Sequence, residues 1–430
     1  MKNKKWMAIL LGGIMAAAEK TTLTFWHAMG GTNGEVLQQI VDDFNASQDE
    51  IEVKAEYQGT YDDTITKLKA AMQSDSGLPD VCQMYDVGTK FMYDSGAVIP
   101  VEDKFESTGY DKSSVMDVIS SYYTVDGKQY AMPFNVSTPM LYYNKDVFEA
   151  AGLDPETPPT TYDEVLEDSK KIVESGAAPV GYSQAIYGWF FEQQLAGLGV
   201  TYGNNDNGRT EAVTAVDFDS NGGGLKVFDM WKKLYDSGYF EDYGTTTADT
   251  QTAFFSGQVG MIIESTAILK NAVDSSPFEV GTGYLPRIEQ NDEGGVIIGG
   301  GSLWLTDTGN EANEDAAWKF IEYITTPDVQ AKWSMGTGYF AINEKAYETD
   351  DMKAYLEENP NFETAINQLK DSPVNCNTAG VLSGVQTEAR LTFNEIMPQV
   401  YDGKLTTQDA VDQLAASVNK AIENYNESIK

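Results

Sequence analysis

The chain has 430 residues, with 29 Lys+Arg against 66 Asp+Glu, a formal net charge of −37, one histidine and two cysteines. That length suits two or three domains at roughly 100–200 residues each, and a hydrophobic content of 41% argues against disorder. The charge excludes broad binding to nucleic-acid phosphates or anionic membrane surfaces, both of which need clustered Lys and Arg.

Lys2, Lys4 and Lys5 precede an apolar run from Trp6 to Met15, and Ala16-Ala17-Ala18 follows. Positive charge, a short apolar core and small residues in that order predict a secretory signal peptide over residues 1–18 and an extracytoplasmic mature protein. The run is too short to span a bilayer, which takes about 20 residues. A lipid anchor needs a cysteine at the cleavage point, and none stands there.

Leu23 and Phe25 alternate with Thr22 and Thr24 as a strand, and Val36, Leu37, Ile40, Val41 and Phe44 recur at helical spacing. The pattern repeats, with Ile51, Val53, Ala55 and Tyr57 as a strand, a helix begun by Asp62 and Asp63, and PDVCQMYD as a third strand. Such alternation predicts an α/β fold with a parallel sheet covered on both faces, and ligands on such sheets sit beyond the carboxyl ends of the strands. Asp86, ending the third strand, and Tyr61, in the turn after the second, fall in that zone. Asp126-Gly127 marks a hairpin. Thr161-x-x-Glu164 is a capping box opening a helix through Val173, and Val227, Met230, Trp231 and Leu234 line another. Three more helices are expected around Trp318–Ile324, Gln386–Met397 and Thr407–Tyr425. The pattern reads as two α/β lobes joined more than once.

Cys82 and Cys376 match no metal-binding spacing, and Cys82 reads as a free thiol in a buried strand. The lone His27 removes histidine-rich metal sites and leaves one possible base for nucleophilic catalysis; it is expected to be structural, at the end of the first strand. No cofactor and no metal are expected. Trp304, Trp318 and Trp333 read as lobe core. Arg390, on its helical spacing alone, pairs with Glu388 or Glu395 on a solvated face.

Several segments together resemble the extracytoplasmic solute-binding proteins of ABC importers, in the large two-lobed class that includes maltodextrin binders. They are LTFWHAMGG, PFNVSTPMLYYNKDVFEAAGLD, FFSGQVGMIIES and AAWKFIEYITTPDVQAKWSMGTGYFAIN. TFWHAMGG, YQGTYDD, QMYDVGT, PFNVSTP, IIGGGSLW and TGYFAI are similar to the glycerol-phosphate-binding branch of that class. The resemblance implies a two-lobed periplasmic-binding-protein-like fold with a multi-segment hinge, a first lobe of 19–138 plus about 267–327, and a second of 139–266 plus about 328–430. It also implies a non-enzymatic monomer that takes sn-glycerol 3-phosphate or a glycerophosphodiester from the interlobe cleft to ABC permease subunits. Tyr61 and Asp86 then meet the glycerol end, while Ser137, Ser265, Gly300, Tyr339 and Arg390 gather around the rest, mainly the phosphate. Asp86 stands where the family has glutamate, with about 1.5 Å less reach. Ile186 stands where a second tryptophan is expected beside Trp189, in the region where a bulkier head group packs.

The residue chemistry is compatible with this carry-over. A phosphate needs a fork of donors, hydroxyls and free backbone amides, which Arg390, Ser137, Ser265 and Gly300 supply, and glycines allow close backbone approach. A neutral oligosaccharide is the alternative, since Trp26, Trp189, Tyr61 and Tyr339 offer aromatic platforms. A secreted glycan hydrolase with paired carboxylates is a weaker alternative: no spacing singles out such a pair, and neither HExxH nor GxSxG occurs.

Overall fold

Leu23 and Phe25 are fully buried and their threonine neighbours are not, so Thr21–His27 is a strand with one face committed to the core. Helix Gly31–Ser47 buries the stripe Leu37, Ile40, Val41 and Phe44. Strand Ile51–Tyr57 follows, and then helix Tyr61–Gln73, whose Thr60 and Asp63 form a capping box. Tyr61 is therefore the first residue of this helix rather than part of the turn before it. The computed structural model describes residues 20–74 and 77–429. The signal peptide expected over 1–18 lies outside the described residues.

Two sheets organise the described chain. The six-stranded first sheet runs in the order Ile51–Tyr57, Thr21–His27, Val81–Tyr85, Gly299–Thr306, Val98–Ile99, with Met132–Ser137 also paired to Gly299–Thr306. Its first three strands are parallel as expected, but Gly299–Thr306 is antiparallel to its neighbours, so the sheet is mixed. That strand arrives from the other sheet and not through a local strand–helix–strand crossover, so its direction was not set by local alternation. The second sheet has the order Val280–Gly283, Pro139–Asn144, Val259–Ser265, Val180–Ser183. Only its last pair is parallel.

Thr138 alone separates a strand of the first sheet from a strand of the second, and both strands are buried at every position. The backbone of Thr138 is tied to Thr266: the Thr266 N–H donates to its carbonyl at 2.8 Å, and its own N–H donates to the Thr266 hydroxyl at 3.1 Å. Strand Val280–Gly283 belongs to the second sheet, although residues from about 267 were expected in the first lobe. Helix Pro327–Thr337 packs on Gly31–Ser47 and carries Trp333 into the first core, although residues from about 328 were expected in the second lobe. Both segments follow the faces that bury their apolar side chains.

Trp304, Trp318 and Trp333 lie in the first core as expected, and Trp231 lies in the second, where its indole N–H donates to Gln194 Oε1 at 2.6 Å. Cys82 is a buried free thiol and His27 is buried at the end of the first strand, accepting from the Met29 N–H on Nδ1. Helix Tyr162–Ser175 carries the expected Thr161/Glu164 capping box. Helix Gly188–Gly197 was not anticipated: nine of its ten residues are buried, so no polar stripe alternates with an apolar one.

The glycine run Gly299–Gly301 sits where three layers meet. Gly300 has φ +88°, and a Cβ there would lie 1.9 Å from the Asn135 carbonyl oxygen. A Cβ on Gly299 would lie 2.7 Å from the Trp189 ring. Replacing Gly300 by alanine is expected to lower unfolding stability by about 1–3 kcal/mol, through a left-handed backbone and a clash with main chain. Urea unfolding measures this, and an unchanged midpoint would show that the Asn135 strand yields freely.

Candidate ligand site

Arg390 lies on helix Gln386–Tyr401, in the buried stripe Gln386, Ala389, Arg390, Phe393 and Met397. The solvated-face pairing with Glu388 or Glu395 does not occur. The guanidinium is buried and donates from Nε to Glu192 Oε1 at 2.8 Å, from Nη2 to Glu192 Oε2 at 2.7 Å and from Nη2 to Asp86 Oδ2 at 2.7 Å. Glu192 comes from helix Gly188–Gly197, and Asp86 opens the single turn Asp86–Gly88 after the strand Val81–Tyr85. The ion cluster therefore joins the first sheet to helices of the second core.

The two helices approach closely because Gly188 has no side chain: a Cβ there would lie 2.5 Å from Arg390 Cα. The Gly188 N–H donates to Asn394 Oδ1 at 2.9 Å. Gln386 Nε2 donates to Glu192 Oε1 at 3.0 Å, and the Tyr187 ring lies 6.0 Å from the guanidinium carbon. Burial works against the charge on Arg390, but Asp86 and Glu192 outweigh it and hold the group protonated well above its usual range. Burial pushes the Glu192 carboxyl upward, against the pull of Arg390.

A second polar set lies beside this cluster. The Ala28 N–H donates to Gln83 Oε1 at 2.9 Å, Gln83 Nε2 to Asn135 Oδ1 at 2.7 Å, and Asn135 Nδ2 to the Tyr61 hydroxyl at 2.7 Å. Tyr61 stacks on Tyr85 with centroids 5.0 Å apart and planes 7° from parallel. Tyr339 stacks on Trp333 at 5.7 Å, and its hydroxyl faces Asn135 and Tyr61. Burial raises the phenols of Tyr61 and Tyr339, so both stay neutral donors. Ser137 ends its strand opposite Gly299, against whose backbone Trp189 packs.

Tyr61, Asp86, Ser137, Trp189, Gly300, Tyr339 and Arg390 thus fall in one connected region. The Ser265 hydroxyl accepts from the Ala267 N–H at 3.1 Å, capping the turn Thr266–Ile268 beside the Thr138 crossing. Sequence reasoning missed Glu192, Asn135 and Gln386. The signal for Glu192 was an acid inside the aromatic run WFFEQQL, which a buried helix tolerates only with a partner.

Further contacts draw the two halves together. Tyr85 Oη shares a hydrogen bond with Thr387 Oγ1 at 2.8 Å, and Tyr425 Oη donates to Asp94 Oδ2 at 2.6 Å. A cavity of about 560 Å³ lies elsewhere, between the segment 284–296 and helix Asn361–Asp371, and none of the eight candidate residues lines it. At the candidate site, Arg390 bonds across the seam between the two halves to Asp86. Among the described residues no cluster of His, Cys, Asp and Glu is arranged to hold a metal ion.

The seam between two α/β halves is the ligand position of a two-lobed binding protein, and residues 39–364 match the bacterial extracellular solute-binding protein family. The chain belongs to that family, whose members act outside the cytoplasm, deliver small solutes to ABC permeases and catalyse no reaction. Among its relatives is the sn-glycerol-3-phosphate-binding periplasmic protein of Escherichia coli K12, 30% identical over 428 residues, 98% of this chain and 96% of that one. A Shigella flexneri counterpart is 31% identical with the same coverage. The fold matches UgpB of Mycobacterium tuberculosis in complex with glycerophosphocholine, at TM-score 0.80 and 21% identity over 95% of this chain and all of that one. It also matches the cyclic α-maltosyl-1,6-maltose-binding protein of Arthrobacter globiformis, at TM-score 0.78 and 26% identity over 94% of this chain and all of that one.

Removing Arg390 leaves two buried carboxylates without their cation. Arg390→Ala is expected to destabilise the protein by about 3–5 kcal/mol at neutral pH. An acid whose folded-state pKa is raised favours the folded state at low pH and loses that advantage as pH rises. The deficit should therefore shrink as the pH is lowered into the carboxyl range; denaturant titrations from acid to neutral pH check this, and a constant deficit would contradict it.

Proposed function

We propose that the chain is the substrate-binding component of an ABC importer that captures sn-glycerol 3-phosphate or a glycerophosphodiester between its lobes. It acts as a monomer, exported by a signal peptide over residues 1–18. The observation that carries the ligand class is the buried Arg390, fixed side-on by Glu192 while its Nη2 also donates to Asp86 at the end of the first-sheet strand Val81–Tyr85. A guanidinium presented in this way offers paired donors to a phosphate. The names of the Escherichia coli and Shigella relatives and the ligand of the Mycobacterium tuberculosis structure support the same reading.

In this reading the phosphate takes the place of Asp86 on Arg390 and is received by the hydroxyls of Ser137 and Ser265 and the backbone of Gly300. Tyr61 and the released Asp86 hold the glycerol hydroxyls, and Trp189 and Tyr339 wall the ligand. Opening separates Asp86 from Arg390, and ligand shifts the population back to the closed form. A neutral oligosaccharide is the second reading, favoured by the stacked Tyr61–Tyr85 pair and by the likeness to the Arthrobacter protein.

A thermal-shift series separates the two. A ligand at about 100 times its Kd stabilises the folded state by about 2.7 kcal/mol. Glycerol 3-phosphate or glycerophosphocholine should raise the melting temperature of the wild type by several degrees and maltose should not. Arg390→Lys should lose most of the shift, because an ammonium cannot hold Glu192 and phosphate in the same planar geometry. A shift with maltose alone would overturn the phosphate reading.

A further inference from the structure

The geometry points to Glu192 as the residue that sets which charge state of phosphate the cleft accepts: with Asp86 it over-neutralises Arg390, so a singly charged glycerophosphodiester is taken in preference to a doubly charged phosphomonoester. This rests on the phosphate reading above and narrows it.

Glu192 accepts three hydrogen bonds, two from Arg390 and one from Gln386, which is the pattern of an ionised carboxylate. It occupies the Nε/Nη2 side of the guanidinium. Asp86 also accepts from Nη2. One guanidinium therefore faces two carboxylates before any ligand enters. Around them stand Tyr187 against the guanidinium, and Tyr202 and Tyr122, whose phenols burial pushes up, and beyond Tyr187 a further buried acid, Glu264, which accepts from Gln251 and adds negative charge to the same side. Two other cations are already engaged: the buried Lys90, four residues after Asp86, is paired with Asp94, and Arg209 lies 5.2 Å from the centroid of the Tyr122 ring. Its guanidinium donates to the carbonyl oxygens of Tyr122, Ala379 and Gly380, so it does not serve as a counter-ion for the cluster.

The first negative charge of a phosphate replaces Asp86 on Arg390 and is balanced. A second charge finds Lys90 and Arg209 already partnered and is repelled at short range by Glu192 and the nearby Asp86, in an environment where such repulsion is weakly screened. A phosphomonoester carries that second charge above its second pKa of about 6, and a phosphodiester never does.

Calorimetry with sn-glycerol 3-phosphate and its methyl phosphodiester tests this, because the two differ little in size. At pH 8 the wild type should bind the diester at least about tenfold tighter, one charge at contact distance being worth more than that in a poorly solvated site. Lowering the pH to 5 returns a proton to the monoester and should bring the two affinities to within about threefold. Glu192 faces both ligands alike, so the ratio, not either affinity, is the readout. Glu192→Gln should narrow the ratio at pH 8 to a similar extent, whatever it does to the two affinities individually. A monoester bound as tightly as the diester by the wild type at pH 8 overturns the inference, as does an unchanged ratio in a folded Glu192→Gln. Should that variant not fold, the wild-type ratio and its pH dependence decide. Failure of both ligands to bind the wild type removes the phosphate reading itself.

Discussion

One buried cation between two carboxylates ties the halves of this molecule together. Arg390 reaches Glu192 on a helix of its own core and Asp86 on the strand end of the other, and each contact is at hydrogen-bond distance. Taking three charges out of water is costly, and such clusters add little net stability over an apolar equivalent. Their value here is conformational. The bond to Glu192 stays within one lobe, whereas the bond to Asp86 exists only when the lobes meet. On the proposed reading, Asp86 occupies the position that the anionic ligand takes on Arg390.

On the proposed reading, the same cluster is what lets a chain of net charge −37 take an anion. Charges separated by more than about 8 Å are largely screened at physiological ionic strength. The outcome is decided by the groups in contact, and these number one guanidinium, two carboxylates and a ring of neutral phenols. The aromatic residues raise the cost of any unbalanced charge by keeping water away from it. Gly188, Gly299 and Gly300 make the assembly possible by letting helices and strands approach closer than any side chain allows.

Much of the scaffold was legible in the sequence because its signals are local. The alternation around Leu23 and Phe25, the capping box at Thr161 and Glu164, and the helical stripe through Trp231 each depend on a few neighbouring residues. The antiparallel Gly299–Thr306 strand was not legible, since its direction depends on where a long excursion through the second sheet returns. Helix Gly188–Gly197 was hidden because burial on every side erases periodicity. At the site, spacing alone read Arg390 as a surface arginine, whereas the structure buries it. Glu192 escaped both approaches: its partner lies 198 positions away in sequence, and only packing brings them together.

The most direct test is a crystal structure of the protein with a bound glycerophosphodiester. The account predicts a phosphate oxygen within hydrogen-bond distance of Arg390 Nη1 or Nη2, Glu192 still paired to Nε, and Asp86 moved from the guanidinium to the glycerol hydroxyls. A ligand held away from Arg390, with the Asp86 contact intact, would contradict it.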